Sequence, residues 1–439
     1  MDYPKDIINV LNTLEENGFE AYLVGGSVRD FLLKKECHDY DIATSALPEQ
    51  VMNLFENCQP TGIEQGTVTI YCEHPVEVTT FRIESDYQDH RHPSHVEFVL
   101  SIEQDLARRD FTVNAMAYSP KRGLIDPFNG QQDLEKRVIR CVNDASLRFQ
   151  EDAFRMMRAH RFVAQLGFSM DPLTYMAIQN NKHLLTYISI ERIRDELLQI
   201  LKYNPYEIEN MVDLLEPWIP ELKLSLNCPQ NTKWHYCNVL HHCLRAVKEM
   251  NKFDETLAWV LLFHDLGKPM CRVTDKNGVD HFKGHPEVSC EISKRLVKTL
   301  KLTAFQQQWI PELVLNHENW LYPRLETVHN LRIEMAWTDQ QVRQLLEVRR
   351  CDILAHSLQG QKTMIQILAF RDLYEKCILT RPMSLKTLCI NGQDILENTS
   401  LTGKEINEML MKCLDYAFYN PYRNKKKILL EYVKNASLK

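Results

Sequence analysis

The chain has 439 residues, 44% of them hydrophobic and 25% charged, with only 14 glycines; this excludes collagen-like and disordered classes and fits a helix-rich globular protein of about two to four domains. A formal net charge of −7 excludes a protein that coats nucleic acid indiscriminately, because such proteins release counterions through a large basic excess, so any RNA contact is local. Thirteen cysteines stand singly without a C-x-x-C pair, which excludes a zinc ribbon or a disulfide framework and leaves them as reduced core residues.

The start, MDYPKDIINVLNTLEENGF, is amphipathic and acidic with no apolar leader core. No run of about 18 apolar residues follows, so the expected location is cytoplasmic, with no membrane partner. Next, LVGGSVRDFLLKKECHDYDIAT (residues 23–44) reads as an apolar strand, a Gly-Gly turn, a short helix and a strand bearing Asp39 and Asp41. Two aspartates one residue apart on a strand share a face, and their hard oxygens suit divalent metals such as Mg²⁺ that bridge to nucleotide phosphates. Gly25 and Gly26 let the backbone approach a triphosphate, and Arg29 adds charge. In this order the parts resemble the active-site signature of the polymerase beta nucleotidyltransferase superfamily.

SALPEQVMNLF reads as a Ser- or Pro-started helix, and GTVTIYC and VEVTTFRI as strands of a small α/β sheet. Glu77 on the second of these is either a third carboxylate for the metal or an edge-strand surface residue. ESDYQDHRHPSHVEF is too hydrophilic for a core and too long for a tight turn, which predicts a mobile loop beside the site. In LARRDFTVNAMAYS, Arg109 can hold a triphosphate and Asp110 can accept from a ribose hydroxyl; the alternative is a local Arg-Asp pair. DPFNGQQDLEKRVIRCV reads as a turn and a short strand leading away from the sheet.

RFQEDAFRMMRAHRFVAQLGF (residues 148–168) reads as one helix closed by Gly167, with Arg155, Arg158 and Arg161 along one side and Asp152 one turn before Arg155. An Asp and an Arg so placed offer the acceptors and donors that reading a nucleobase edge requires, or, with Glu151, an ordinary helix pair. SIERIRDELLQILKY, with Ser189 as its cap, reads as a second helix packed on the first.

The series LVGGSVRD, DYDIAT, VEVTTFR, RRDFTVNAMA, EDAFRMMRAHRFVAQLGF and SIERIRDELL resembles, in order and spacing, the class II CCA-adding tRNA nucleotidyltransferases, with heads of poly(A) polymerase type. The resemblance implies that Asp39 and Asp41 bind the catalytic metals, that Gly26, Arg29 and Arg109 hold the incoming nucleotide, and that Asp152 with Arg155 reads CTP or ATP. Arg158 and Arg161 would complete the triphosphate contacts, and protein side chains would replace a nucleic-acid template.

Beyond residue 225, WHYCNVLHHCLRAV, LLFHDLGKP, HFKGHPEVSCEI, LVLNHENW and RRCDILAHS set His and Asp on otherwise apolar helices. His242, the adjacent His264 and Asp265, and Asp352 resemble the four ligands of an HD-domain metal site, and His285 and His317 match the extra ligands of its two-metal forms. Mixed imidazole and carboxylate ligation suits several divalent metals, and such a metal can activate water against a phosphate ester that Lys268 would hold. HD domains resemble phosphohydrolases and cyclic phosphodiesterases, so the resemblance leaves a second activity open, while the ligand set itself argues only for metal binding. The final stretch has a turn at Thr402-Gly403, an amphipathic helix, an Asn-Pro break and a basic end, and resembles a C-terminal tRNA-binding module.

The expected fold class is α+β, with a small α/β nucleotidyltransferase head (1–140) followed by an all-helical neck (141–225), an HD domain (226–370) and a tail (371–439). The expected function is template-independent addition of CCA to the tRNA 3′ end from CTP and ATP. Rival readings are a bacterial poly(A) polymerase, a partial CC- or A-adding enzyme, and an RNA end-repair phosphohydrolase acting through the HD domain.

Overall fold

The computed structural model describes residues 3–37, 39–87 and 93–437. Two compact units result, Met1–Pro220 with Thr299–Lys301, and Glu221–Lys298 with Leu302–Lys439.

In the first unit α1 (Lys5–Glu16) buries Ile7, Val10, Leu11 and Leu14, one stripe of an amphipathic helix. Strands β1 (Ala21–Val24), β2 (Tyr40–Thr44), β3 (Cys58–Gly62), β4 (Thr67–Ile70), β5 (Val76–Thr80), β8 (Ala117–Ser119) and β9 (Gly123–Ile125) form one sheet in the order β3-β4-β5-β2-β1-β8-β9. The parallel register of β2 with β5 sets Asp41 beside Glu77, and the antiparallel register with β1 sets it beside Val24. Because side chains alternate along a strand, burial of Val76, Val78 and Thr80 turns Glu77 and Thr79 to the opposite face. Tyr22, Ala43, Phe81, Ile102 and Leu106 belong to the core. Helices α2 (Gly26–Leu32), α3 (Pro48–Leu54, with its expected Pro start) and α4 (Ile102–Ala107) complete the head.

Four local expectations change. The stretch expected to be a mobile loop is an antiparallel ribbon, β6 (Arg82–Tyr87) on β7 (Pro93–Phe98), with residues 88–92 outside the described residues; ladder pairing satisfies the backbone without needing apolar side chains. After Asp126 accepts from the Gly130 and Gln131 amides, the expected turn becomes a helix, α5 (Gly130–Lys136), before the short strand Val138–Ile139. The single helix expected over 148–168 is two, α6 (Ala145–Glu151) and α7 (Phe154–Leu166). Asp152 breaks it by taking extended angles while its Oδ1 accepts from the Phe154 amide at 3.0 Å, a local bond that competes with the helix ladder. Gly167, at φ 68°, closes α7 as expected. Beyond α8 (Pro172–Asn181), α9 (Ile190–Tyr203) packs on α7, but Ser189 makes no side-chain capping bond.

The second unit is helical apart from the two-residue strands Val273–Thr274 and Asp280–His281. Leu257 to Phe263 are all buried, so the Glu255–Phe263 helix is apolar on every side, as a central helix must be. The tail helices Gly392–Asn398, Lys404–Tyr419 and Lys426–Ser437 enclose their own core of Ile395, Met409, Cys413, Leu429 and Val433. All thirteen cysteines are free. Among the described residues no helix is long and apolar enough to cross a membrane.

Candidate active site and metal centre

The first unit holds a cavity of about 480 Å³ at the edge where β1, β2 and β5 meet α7. Gly25 precedes α2 at φ 68°, a left-handed angle that favours glycine; a Cβ there would also crowd Arg109 Nη1 at 3.2 Å and come into ordinary contact with Asp41 Oδ2 at 3.5 Å. Paired Asp41 and Glu77 of the sheet line the cavity together with Asp110, Asp152, and Arg155 and Arg158 of α7, and Gly26, Arg29, Arg82, Arg108 and Arg109 complete the lining. Six guanidinium groups against four carboxylates leave an anion-seeking surface.

Burial pushes the Asp41 carboxyl upward, and Glu77 and Asp39 add to this while Arg109 opposes it. Crowded carboxylates of this kind are relieved by a divalent cation, so the donor set fits one. Asp39 is exposed, precedes β2 and does not line the cavity, and the three carboxylates do not converge as tightly as the described metal-type clusters.

The arginines are held before any ligand arrives. Asp105, almost wholly buried, accepts from Arg108 (2.8 Å) and Arg109 (3.1 Å); burial opposes its charge, but the two guanidiniums keep its carboxyl below the usual range. Arg29 donates to Asn114 (2.8 Å) and Asp30 (2.8 Å), and Arg158 to Asp110 (2.6 Å). Burial likewise opposes charge on Asp110, yet Arg158 and the Asn114 amide hold its carboxyl down at about 2. Asp110 is thus engaged by Arg158, Asn114 and the Phe111 amide. Arg155 donates to Glu151 (2.7 Å) and the Arg108 carbonyl (2.9 Å), which ties α7 to the arginine pair of the head. Asp152 is half-buried at the helix break, and burial pushes its carboxyl upward against the pull of Arg155. Arg161 does not line the cavity; it turns to Glu196 on α9 at 2.6 Å. Asp105 and Asn114 are absent from the sequence expectation, and Phe162, which the sequence marks as a core residue of its helix, is buried but also lines the cavity; of the three only Asp105 carries a local signal for the site, three and four residues before Arg108 and Arg109.

In the second unit His242, Asp265, His285, His317 and Asp352 converge, with His264 beside them. His242 Nε2 lies 3.0 Å from Asp352 Oδ1 and 3.5 Å from Asp265 Oδ2; His264 Nε2 is 3.3 Å from Asp265 Oδ2, and His285 Nε2 is 3.1 Å from Asp265 Oδ1 and 3.3 Å from His317 Nε2. The backbone aims these rings. Nδ1 of His264, His285 and His317 each sits against the carbonyl three residues earlier, at 2.8, 2.8 and 2.6 Å, which directs each Nε2 at the cluster. His264 Nε2 and both Asp265 oxygens are buried without a directed hydrogen bond, although Lys268 Nζ forms an ion pair at 2.6 Å from Asp265 Oδ2. Burial pushes His242 and His317 toward neutral imidazole, and Asp352 stays anionic because His356, His242 and Arg349 outweigh burial. Burial opposes charge on His264, but Asp265 outweighs it and pushes that imidazole well upward, toward its charged form. Neutral His242 and His317 with charged Asp265 and Asp352 are ligating forms, and a divalent cation would take the place of the His264 proton. Gly267 is needed here, since a Cβ would lie 2.6 Å from the Ser289 amide. An adjoining cavity of about 370 Å³ is lined by Lys268, Arg349, His235, His356, Trp234 and Trp320; His235 and His356 escaped the sequence reading.

The sheet, the paired Asp41 and Glu77 and the arginines of the first unit make a cavity suited to a polyanion with a divalent cation, and the His-Asp cluster of the second unit is a candidate metal centre. Residues 21–140 match the poly A polymerase head domain, 167–225 the probable RNA and SrmB-binding site of polymerase A, and 234–355 the HD domain. The chain is thus similar to poly A polymerase head domains in its first part and to HD domains in its second. A CCA-adding enzyme of Bacillus cytotoxicus is 52% identical over 221 residues, 49% of this chain and 55% of that protein. One of Lactobacillus helveticus is 54% identical over 192 residues, 44% of this chain and 48% of that protein. The chain thus spans about half the length of the curated relatives it matches. The crystal structure of the Bacillus stearothermophilus CCA-adding enzyme in complex with CTP matches 99% of this chain and 98% of its own, with a TM-score of 0.72 and 28% identity. The Thermotoga maritima CCA-adding enzyme complexed with tRNA shares the fold, with a TM-score of 0.61, 21% identity and coverage of 100% and 97%.

Proposed function

We propose that this chain adds CCA to the 3′ end of tRNA from CTP and ATP, in the cytoplasm, without a nucleic-acid template. The observation that carries the reading is the one cavity lined by Asp41 and Glu77 together with Asp152 and Arg155. Asp41, with Asp39 and Glu77 nearby, would hold Mg²⁺, which when bound lowers the pKa of the RNA 3′-hydroxyl and offsets charge on the triphosphate. Arg29, Arg109 and Arg158 orient the triphosphate, and the Gly25-Gly26 backbone admits it. Asp152 accepts from an exocyclic amino group and Arg155 donates to a ring nitrogen. Cytosine and adenine both present that pair, whereas uracil and guanine present a carbonyl and an N–H, leaving buried polar groups unpaired.

The division into head, neck, HD domain and tail at 140, 225 and 370 belongs to the same proposal, with the basic tail as a tRNA contact. A second reading applies to the HD cluster alone: its aimed imidazoles and Lys268 support a metal-dependent phosphohydrolase. Incubating the protein with tRNA lacking its 3′ end, Mg²⁺, CTP and ATP, and sequencing the product ends, tests the main reading. CCA ends are expected; poly(A), CC-only or A-only ends would replace it with the corresponding rival.

A further inference from the structure

Three of the arginines around the head cavity share one aromatic ring. The guanidinium carbons of Arg161, Arg158 and Arg29 lie 4.1, 5.3 and 5.4 Å from the centre of the Phe162 ring. Phe162 is buried, lines the cavity, and meets Phe111 edge-on at 5.6 Å with an interplanar angle of 77°. Each guanidinium is held on another side by a carboxylate: Arg161 by Glu196, Arg158 by Asp110, Arg29 by Asp30. Arg29 stands on α2 of the head and the other two on α7, so the ring joins the two elements that flank the nucleotide cavity. A π face attracts cations most strongly when water is excluded, as it is around a buried ring. An aliphatic side chain of similar volume would fill the space without that attraction.

We propose that Phe162 is a positioning residue for nucleotide binding: its ring fixes Arg29 and Arg158 at the spacing that a triphosphate needs. This rests on the reading of the cavity as a nucleotide site. The ring touches no reacting atom, so it acts on binding and leaves the chemical step alone.

The test uses the full chain with Phe162→Leu and Phe162→Tyr, measuring CTP affinity by calorimetry without RNA, KM and kcat for CTP on tRNA lacking its 3′ end, and the melting temperature. Phe162→Leu is expected to weaken CTP binding and raise KM by roughly tenfold, with kcat within about threefold of the parent, and Phe162→Tyr to restore both. A folded Phe162→Leu protein with parental CTP affinity overturns the proposal, as does a folded Phe162→Tyr protein that fails to restore it. Where Phe162→Leu lowers the melting temperature enough to obscure binding, Phe162→Met, an apolar side chain able to adapt to the gap, replaces it under the same criteria. A parent chain that binds CTP but extends no tRNA refutes the activity reading, and the calorimetric comparison still decides the role of the ring.

Discussion

The two sites are assembled from charged groups in opposite ways. In the head, cationic side chains outnumber anionic ones and are already engaged by internal carboxylates: Arg109 by Asp105, Arg158 by Asp110, Arg155 by Glu151. In the HD centre the imidazoles and carboxylates are fully buried and point at one another, with oxygens of Asp265 lacking directed bonds. The head thus presents cations already held in place for a polyanion, and on the proposed reading that polyanion would complete the metal site with its own oxygens, whereas the second cluster would supply nearly all the ligands of a cation itself. The difference teaches that the same divalent chemistry can be built around the ligand or around the metal.

The largest expected effects would break this contrast outright. Asp41→Ala should lower nucleotide addition by at least about a thousandfold, with tRNA binding retained, because a metal-holding carboxylate is lost while the basic surface remains. Asp265→Ala should strip bound metal from the second unit, read by metal analysis of the purified protein, and leave addition within about threefold of the parent. Loss of addition in a well-folded Asp265→Ala protein would mean that the sites are coupled. Next in size, Asp105→Ala leaves Arg108 and Arg109 without their shared carboxylate. It should cost about 3 kcal/mol of stability, read by denaturant unfolding, and raise KM for both CTP and ATP.

Selectivity sharpens the contrast further. Asp152→Ala and Arg155→Ala should each flatten discrimination against UTP and GTP by about 1 to 3 kcal/mol, measured as kcat/KM for all four nucleotides. If Arg155 instead served only the phosphates, all four would weaken alike. If it served only as the partner of Glu151, the melting temperature would fall and selectivity persist. Unchanged discrimination in both folded variants would remove the templating role.

What the sequence made legible was the chemistry tied to short spacing. Gly25, Gly26 and Asp41 lie within one strand-helix-strand unit, and Glu77, which the sequence left as either a third carboxylate or an edge-strand surface residue, pairs with Asp41 and lines the cavity. The His and Asp residues of the second cluster were legible by their order along the chain, though their convergence depends on helix ends that only the fold brings together. His264 and His317 each follow the last turn of a helix, where Nδ1 meets a carbonyl three residues back. Phe162 and Asn114 were illegible because an apolar residue in an amphipathic helix and an amide in a short turn take their roles from partners 85 residues away in one case and from three surrounding guanidiniums in the other. The break at Asp152 was missed for a related reason: the helical period continues through it, and only the bond to the Phe154 amide decides against the helix.

The smallest predicted effect is acid sensitivity in the head. Asp110 is a buried carboxylate held by Arg158 and Asn114, and its carboxyl is lowered from 3.8 to about 2. A group whose pKa is depressed by folding stabilises the protein above its unfolded pKa, and that contribution disappears as pH falls through the folded value. The shift corresponds to about 2 kcal/mol, fully present at neutral pH and lost between about pH 4 and pH 2. Asp110→Asn retains the shape and removes the titration. Its stability should therefore fall at pH 7 by about that amount, while the difference from the parent should close as the pH is lowered toward 2. Denaturant unfolding of both proteins across that range measures it. A difference that stays constant with pH would assign the cost of Asp110→Asn to lost hydrogen-bond geometry, and the charge pair with Arg158 would then contribute no net stability.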